Sequence, residues 1–280
     1  MRTTVTTLLS LGLVSAAVAT ELKPPPTQRN FVACPVVLDT EDVPCWIAEY
    51  EGERYFLTVQ TGRSRGVVFS PQLMHKVLVE GTLTDEPRMC GGLVLKDVKL
   101  SVMEYEVSPE CNTILPGDGY RTTGPRPIGP DGDPPGDRKS TAVPLPRDPE
   151  QTPAAIRARL ERMAANRERG EFVIPYYFDS NYLPFPVEQA TVDQAADYAA
   201  MVNASRVEVV GYRGAVILSN GEVMTEREGL AEQRARTVAN ILHDFGVPKE
   251  ALVVSWVDEP QHQGGVRDYE KRRVTITVIP

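Results

Sequence analysis

The chain has little histidine and lacks the common catalytic motifs. Its three histidines, His75, His243 and His262, lie far apart and take no metal-binding spacing. It also lacks Gly-x-Ser-x-Gly, a phosphate-binding loop and a dinucleotide fingerprint. These absences argue against hydrolases, nucleotide enzymes and metalloenzymes. The sequence therefore predicts a protein that is not an enzyme, with no cofactor and no metal site.

Long apolar runs are also missing. After residue 20 no stretch reaches eighteen apolar residues, so we expect no transmembrane segment in the mature chain. Residues 1–20 have the pattern of a cleavable signal peptide, with Arg2, an apolar run at Leu8–Val14 and small residues at Ala17–Ala19. No cysteine follows the cleavage pattern, which argues against a lipid anchor there. The sequence thus predicts export to the periplasm or cell envelope.

Positive charge is in the minority. The chain has 38 acidic and 30 basic side chains, for a net charge of −8. A polyanion such as nucleic acid would be repelled rather than attracted by this balance. Nucleic acid is therefore not expected as a partner.

Four cysteines, all between residues 34 and 111, indicate structural disulfides in an exported protein. Their spacing fits neither a zinc site nor a redox Cys-x-x-Cys motif. Three pairings are possible. Because short loops close most easily, we predict Cys34–Cys45 with Cys90–Cys111.

Residues 30–115 alternate apolar and polar side chains over strand-like segments at Tyr55–Val59, Val77–Leu83 and Leu93–Val102. We predict a small all-β domain stapled by the two disulfides, with an oligonucleotide/oligosaccharide-binding (OB) barrel as one candidate topology. Three aromatic residues have two interpretations, buried core or ligand groove, of which the core is favoured: Trp46, Tyr50 and Tyr55.

Ten of the 24 prolines fall within residues 116–153. Such a segment buries too little apolar surface to offset its ordering entropy, so residues 116–152 are predicted to be an extended linker. Thr152 and Pro153 then suit a helix start. We expect a basic connecting helix over residues 153–170 with a narrow apolar stripe.

The clearest pattern lies between residues 206 and 245. Val207, Val209 and Gly211 alternate with polar residues and predict a strand. A long helix should follow and end at Gly246. Its apolar positions recur at three-to-five spacing along one face, at Leu230, Ala235, Val238, Leu242 and Phe245.

Two motifs carry a family resemblance. Leu230–Val238 reads Leu-Ala-Glu-Gln-Arg-Ala-Arg-Thr-Val, and Lys271–Val274 reads Lys-Arg-Arg-Val. Together with Phe178-Asp179 after a first strand, they resemble the peptidoglycan-binding C-terminal domain of the outer-membrane-protein-A-like (OmpA-like) family. The resemblance covers residues 171–280 and implies an α/β sandwich of order strand, helix, strand, helix, strand, strand. The whole chain is then an α+β protein with two domains.

In this family an Asp in a loop and an Arg on the helix hold the two ends of a diaminopimelate side chain, a pair called here the clamp. The resemblance gives Arg234 the position of the clamp Arg. Gly214 stands at the position of the clamp Asp, and Arg227 at the family's Asn before the helix. Half of the clamp is therefore missing.

Further residues are candidates for the same site. Tyr212 and Arg273 complete the peptidoglycan-binding set with Arg234 and Arg227. The loop before the helix is about five residues longer than the family pattern and carries three carboxylates, any one of which is a candidate substitute for the missing Asp: Glu222, Glu226 and Glu228. The alternative interpretation is that these are solvated charges that favour the helix dipole.

The sequence leads to two functional hypotheses. The first is an exported envelope protein that associates non-covalently with diaminopimelate-containing peptidoglycan and has a second binding surface on its β domain. The alternative is a degenerate OmpA-like domain without wall binding, which acts as a periplasmic protein-interaction module. In either case an envelope protein partner fits the two-domain layout.

Overall fold

The computed structural model describes residues 23–40, 43–59, 71–120, 152–183 and 187–280. The described residues contain two sheets. Residues 23–120 are called the β unit, and residues 152–280 are called the C-terminal unit. The predicted signal peptide and most of the predicted linker lie outside the described residues.

The β unit is built on a seven-stranded sheet. The strands are β1 (Gln28–Ala33), β2 (Pro35–Asp39), β3 (Cys45–Tyr50), β4 (Glu53–Val59), β5 (His75–Leu83), β6 (Leu93–Val107) and β7 (Thr113–Pro116). They are ordered β1-β5-β6-β4-β3-β2-β7. The three predicted strands coincide with β4, β5 and β6. The OB barrel is not confirmed.

The disulfides pair differently from the prediction. Cys34 is bonded to Cys111, and Cys45 to Cys90. The predicted choice rested on loop length, but extending a loop from 11 to 77 residues costs only about 1.7 kcal/mol. Strand pairing decides instead, because β2 and β7 run parallel with Val36 opposite Thr113, and the same register two residues earlier sets Cys34 opposite Cys111.

Two further predictions concern residues of the β unit, namely the three aromatic residues and the start of the linker. Trp46 and Tyr55 are buried in its core, as the favoured interpretation expected, and Tyr50 stacks on Phe31 with ring centroids 4.7 Å apart. The predicted linker began at Pro116, but that residue pairs with Asp39 at the end of β7.

The C-terminal unit is a sheet with helices on one face. Its elements are α1 (Pro153–Ala165), β8 (Gly170–Pro175), α2 (Val187–Val202), β9 (Arg206–Ile217), β10 (Val223–Thr225), α3 (Leu230–Asp244), β11 (Leu252–Gln261) and β12 (Arg273–Ile279). The sheet runs β10-β9-β12-β8, and β11 pairs with β9 in parallel. The short strand β10 is absent from the predicted order.

One hydrophobic core holds the three helices on that sheet. Alternate residues of β9 and β12, including Val207, Val209 and Ile276, face Val192 of α2 and Val238 of α3. The basic helix α1 starts at Thr152, whose hydroxyl accepts from the Ala155 N–H at 3.2 Å, and adds Leu160 to the core. No helix among the described residues is long and apolar enough to cross a membrane.

The two units pack against each other through polar and apolar contacts. The Asn30 side chain in β1 donates to the carbonyls of Ile217 and Gly265 at 2.8 and 2.7 Å. The Phe178 N–H donates to the Ser101 hydroxyl at 2.9 Å. An apolar cluster from both units lies beside these bonds, formed by Leu78, Phe178, Val216 and Leu218.

Candidate functional site

Helix α3 brings the clamp arginine into the protein interior. Leu230, Arg234 and Val238 are four residues apart, so they share one face of the helix. That face packs on the sheet, and all three side chains are buried. Arg234 is 0% exposed. A guanidinium at such a position must find its partners inside the protein.

Every donor of Arg234 has an acceptor. Nε donates to the Ser180 carbonyl at 2.9 Å. Nη1 donates to the Tyr212 carbonyl at 3.0 Å, and Nη2 reaches the carbonyls of Tyr177 and Ser180 at 3.2 and 2.7 Å. The remaining donors form a fork with the carboxylate of Glu226 at 2.9 and 2.6 Å. The arginine has no donor left for an external ligand.

Glu226 supplies the opposite charge from the loop before α3. Besides the two bonds from Arg234, its carboxylate accepts the N–H of Gly214 at 2.6 Å and the N–H of Asp179 at 2.9 Å. The Arg234 guanidinium and these two N–H groups form a carboxylate cradle, and Glu226 fills it. The residue is 1% exposed.

The backbone around Glu226 is fixed as well. Its N–H donates to the Gly214 carbonyl at 3.1 Å, and its carbonyl accepts from Arg213 Nη1 at 2.9 Å. Asp179, whose N–H donates to Glu226, has a positive φ of 58°. The Asp179 carboxylate then accepts the Arg227 N–H at 2.7 Å. Several bonds therefore hold the filled cradle in place.

The other half of the clamp is blocked by a side chain. A β carbon at position 214 would clash with Cγ of Arg272. This position therefore tolerates only glycine unless the Arg272 side chain changes its conformation. Arg272 stands in the Lys-Arg-Arg-Val motif just before β12. A side chain at position 214 would therefore need Arg272 to move.

Arg272 continues across Gly214 into the β unit. Its guanidinium forms a fork with the carboxylate of Glu80 on β5, with Nη1 at 3.3 Å from Oε1 and Nη2 in close contact with Oε2. Both side chains are 1% exposed. Burial raises the pKa of the Glu80 carboxyl, and the charge of Arg272 opposes that rise. The pair links the two units beside Gly214.

The side chains of the remaining candidates do not converge on Arg234. Gly211 faces α3, so its neighbour Tyr212 points to the opposite face of the sheet. There its ring lies 4.5 Å from the guanidinium carbon of Arg273. Arg227 is on the outside, where its Nε donates to Asp179 at 2.8 Å. The predicted set is therefore split over three places.

Of the three loop carboxylates, Glu226 alone reaches Arg234. Glu222 and Glu228 are exposed, as the solvated-charge interpretation expected of them. Sequence reasoning missed the roles of Glu80 and Arg272 in the site. The one usable signal was Gly214 itself, because a glycine at a functional position indicates that something else needs the room.

The described residues contain one cluster with metal-ligating side chains close together, formed by Cys34, Glu110 and Cys111. Its two sulfur atoms are bonded to each other in a disulfide. They are therefore not thiolates, the form in which cysteine binds a metal.

Comparison with known proteins supports the resemblance of the C-terminal unit. Residues 176–272 match the model of the OmpA family. A comparison with curated proteins found no match.

Solved structures give weak global matches. The OmpA-like domain of FopA1 from Francisella tularensis is 19% identical, with 39% of this chain and 71% of that chain covered and a TM-score of 0.32. The cell wall anchor of the T6SS from Pseudomonas aeruginosa is 20% identical, with 44% and 95% covered and a TM-score of 0.32. The identification rests on the family model, and it makes residues 176–272 of this chain an OmpA-family domain.

Proposed function

We propose that this chain is a cell-envelope protein whose OmpA-like domain acts as a protein-interaction module and does not hold wall peptide in the family's manner. The envelope setting follows from the predicted signal peptide and the OmpA-family domain. The second binding surface predicted for the β domain belongs to the same proposal. The proposed function is binding to partner proteins and involves no catalysis.

One observation carries the proposal: both halves of the clamp are occupied by groups of the chain itself. Glu226 fills the carboxylate cradle, and Arg272 fills the space of the Asp. Arg234 and Glu226 are a buried, fully hydrogen-bonded pair, and breaking such a pair costs about 3–5 kcal/mol. A wall peptide would have to recover this cost before it gained any affinity.

A second candidate, wall binding at this site, is favoured by the donors of the cradle. Arg234 and the N–H groups of Asp179 and Gly214 already surround a carboxylate, which is the group that a stem peptide would present. For this candidate to hold, the ligand has to displace Glu226. The two candidates therefore differ in whether Glu226 leaves.

Isothermal titration with a stem tripeptide that ends in diaminopimelate separates the two candidates. The matched ligand is the same tripeptide with lysine in place of diaminopimelate. We expect no binding heat for the wild-type chain with either peptide. Binding of the diaminopimelate peptide alone by the wild type would establish the second candidate and defeat the first.

The Glu226→Ala variant serves as the internal comparison, with its fold checked by circular dichroism. If it binds a carboxylate peptide that the wild type ignores, the cradle is functional and Glu226 blocks it. If neither protein binds, the site is closed for structural reasons as well. Both results argue against wall-peptide binding by the wild-type chain.

A further inference from the structure

A groove runs along the outer side of the contact between the two units. One wall is Val102–Glu106 of β6, and the other is Phe178–Ser180 with Arg227. It is called the seam groove here. Its volume is ≈ 240 Å³. Small-molecule pockets usually have about 300–1,000 Å³, so this groove suits a side chain of a protein partner better than a free metabolite.

The wall formed by β6 has an irregular strand register. Val77 pairs with Val102 and His75 with Val107, so four residues of β6 stand opposite the single residue Lys76. On its other edge, β6 pairs with β4 through Leu93 and Val94 alone, among the described residues. A strand edge without a paired neighbour can accept an extended segment of another chain.

The groove has an excess of negative charge. The carboxylate of Asp179 is matched by Arg227, whose Nε lies 2.8 Å from it. Glu104 and Glu106 are exposed, and neither has an ion-pair partner within the part of the chain that the structure describes. Two carboxylates are therefore available to a cationic partner.

Aromatic rings complete the surface. Tyr105 is 58% exposed and carries the Arg227 guanidinium carbon 3.7 Å from its ring centroid. Tyr182, in the segment that follows Ser180, is 57% exposed. Tyrosines that remain exposed beside a groove are characteristic of protein-binding surfaces, since they bury much area with little loss of side-chain freedom.

We propose that the seam groove binds an extended, lysine- or arginine-bearing segment of a partner protein, which adds to the edge of β6 beyond Val94. The basic side chains meet Glu104 and Glu106, and the apolar ones pack on Tyr105. This inference rests on the interaction-module function and names its surface. The surface draws on both units, so it exists only while they are docked.

Fluorescence anisotropy with the full mature chain tests the proposal. The probe is a fluorescein-labelled peptide, Lys-Val-Lys-Tyr-Lys-Val, and the control probe has Glu in place of each Lys. We expect the basic probe to bind and the acidic probe not to bind. The Glu104→Gln/Glu106→Gln variant should weaken binding about tenfold or more, which corresponds to the loss of roughly 1.4 kcal/mol.

A charge-matched control excludes a general effect of net charge. Glu171 and Glu250 are exposed and lie outside the groove lining, and the double substitution to Gln removes the same two charges. This control should bind as the wild type does. Tyr105→Ala should also weaken binding, whereas raising the salt should weaken binding to the wild type more than to the groove variant.

Three results would overturn the proposal. The first is no binding of the basic probe to the wild type up to millimolar concentration, and the second is equal loss of affinity in both double variants. The third is self-association of the wild type that the groove variant abolishes, since the groove would then belong to a second copy of the chain. None of these readouts involves wall peptide, so failure here is distinguishable from failure of the proposed function.

Discussion

The side chain of Arg272 passes directly over the α carbon of Gly214 and ends at Glu80 of the β unit. Gly214 stands where the family has the clamp Asp. A side chain at this position would meet Arg272, which joins the two units through Glu80.

The first prediction tests this exclusion at position 214. Gly214→Ala should lower the free energy of unfolding by about 1–3 kcal/mol, because the added methyl group overpacks against Arg272. Arg272→Ala removes the obstacle, so the same Gly214→Ala change made in that background should cost much less. Urea unfolding of the four proteins measures the coupling. Equal costs in the two backgrounds would show that Arg272 does not block the position.

The second prediction concerns Arg234. Replacing it with Ala leaves Glu226 as an unpaired buried charge and should cost about 3–5 kcal/mol. Lysine should recover little of this, since three donors on a point charge cannot replace five donors in a planar fork.

Arg157 provides the matched control for Arg234. It pairs with Glu161 on the surface of α1, with Nε 3.1 Å from Oε1. Arg157→Ala should cost less than about 1 kcal/mol, as exposed pairs usually do. Chemical unfolding of both variants makes the comparison. Similar small costs for the two would mean that Arg234 is not bound as described.

A third prediction follows from the pKa of Glu80, which burial raises above the ordinary value of 4.5. The folded protein then binds this proton more tightly than the unfolded chain does. The contribution of Glu80 to stability is fully present below pH 4.5 and is lost as the pH rises through the folded-state pKa. Glu80→Gln cannot titrate and provides the reference.

The unfolding free energy of the wild type minus that of Glu80→Gln should therefore decrease as the pH rises from 4 upward. Thermal or urea unfolding over a pH series measures it, and all other titrating groups cancel in the difference. A difference that stays constant or increases with pH would contradict a raised pKa for Glu80.

A fourth prediction concerns the disulfides. Non-reducing peptide mapping of the mature protein should give Cys34 linked to Cys111, Cys45 linked to Cys90, and no free thiol. Reduction should destabilise the β unit by about 2–5 kcal/mol for each bond, since both close long loops. Recovery of a peptide with Cys34 joined to Cys45 would refute the pairing.

Sequence periodicity was sufficient for much of the C-terminal unit. The helix at Leu230 and the strand around Val209 follow from spacing, because each has one side in the core. The strands around Val254 and Ile276 follow from the element order that the family resemblance implies. The hairpin to β10 was missed because three residues are too few to show a period. The cysteine pairing was missed because it depends on which strands are neighbours, and loop length says little about that.

The site was harder to predict than the fold. The position of Arg234 was evident from its motif, but its accessibility was not, because burial depends on loops that fold back over α3. Glu226 was one of three equivalent candidates in the sequence, and tertiary contacts alone distinguish it from Glu222 and Glu228. Glu80 lies 192 residues from its partner, a separation over which no local pattern carries information.

The most direct test of the central claim is sedimentation of the mature protein with purified sacculi that contain diaminopimelate, at low salt. Because Glu226 already pairs with every available donor of Arg234, we expect the wild-type protein to stay in the supernatant. Pelleting of the wild type, with the effect abolished in an Arg234→Ala variant that circular dichroism shows to be folded, would contradict it.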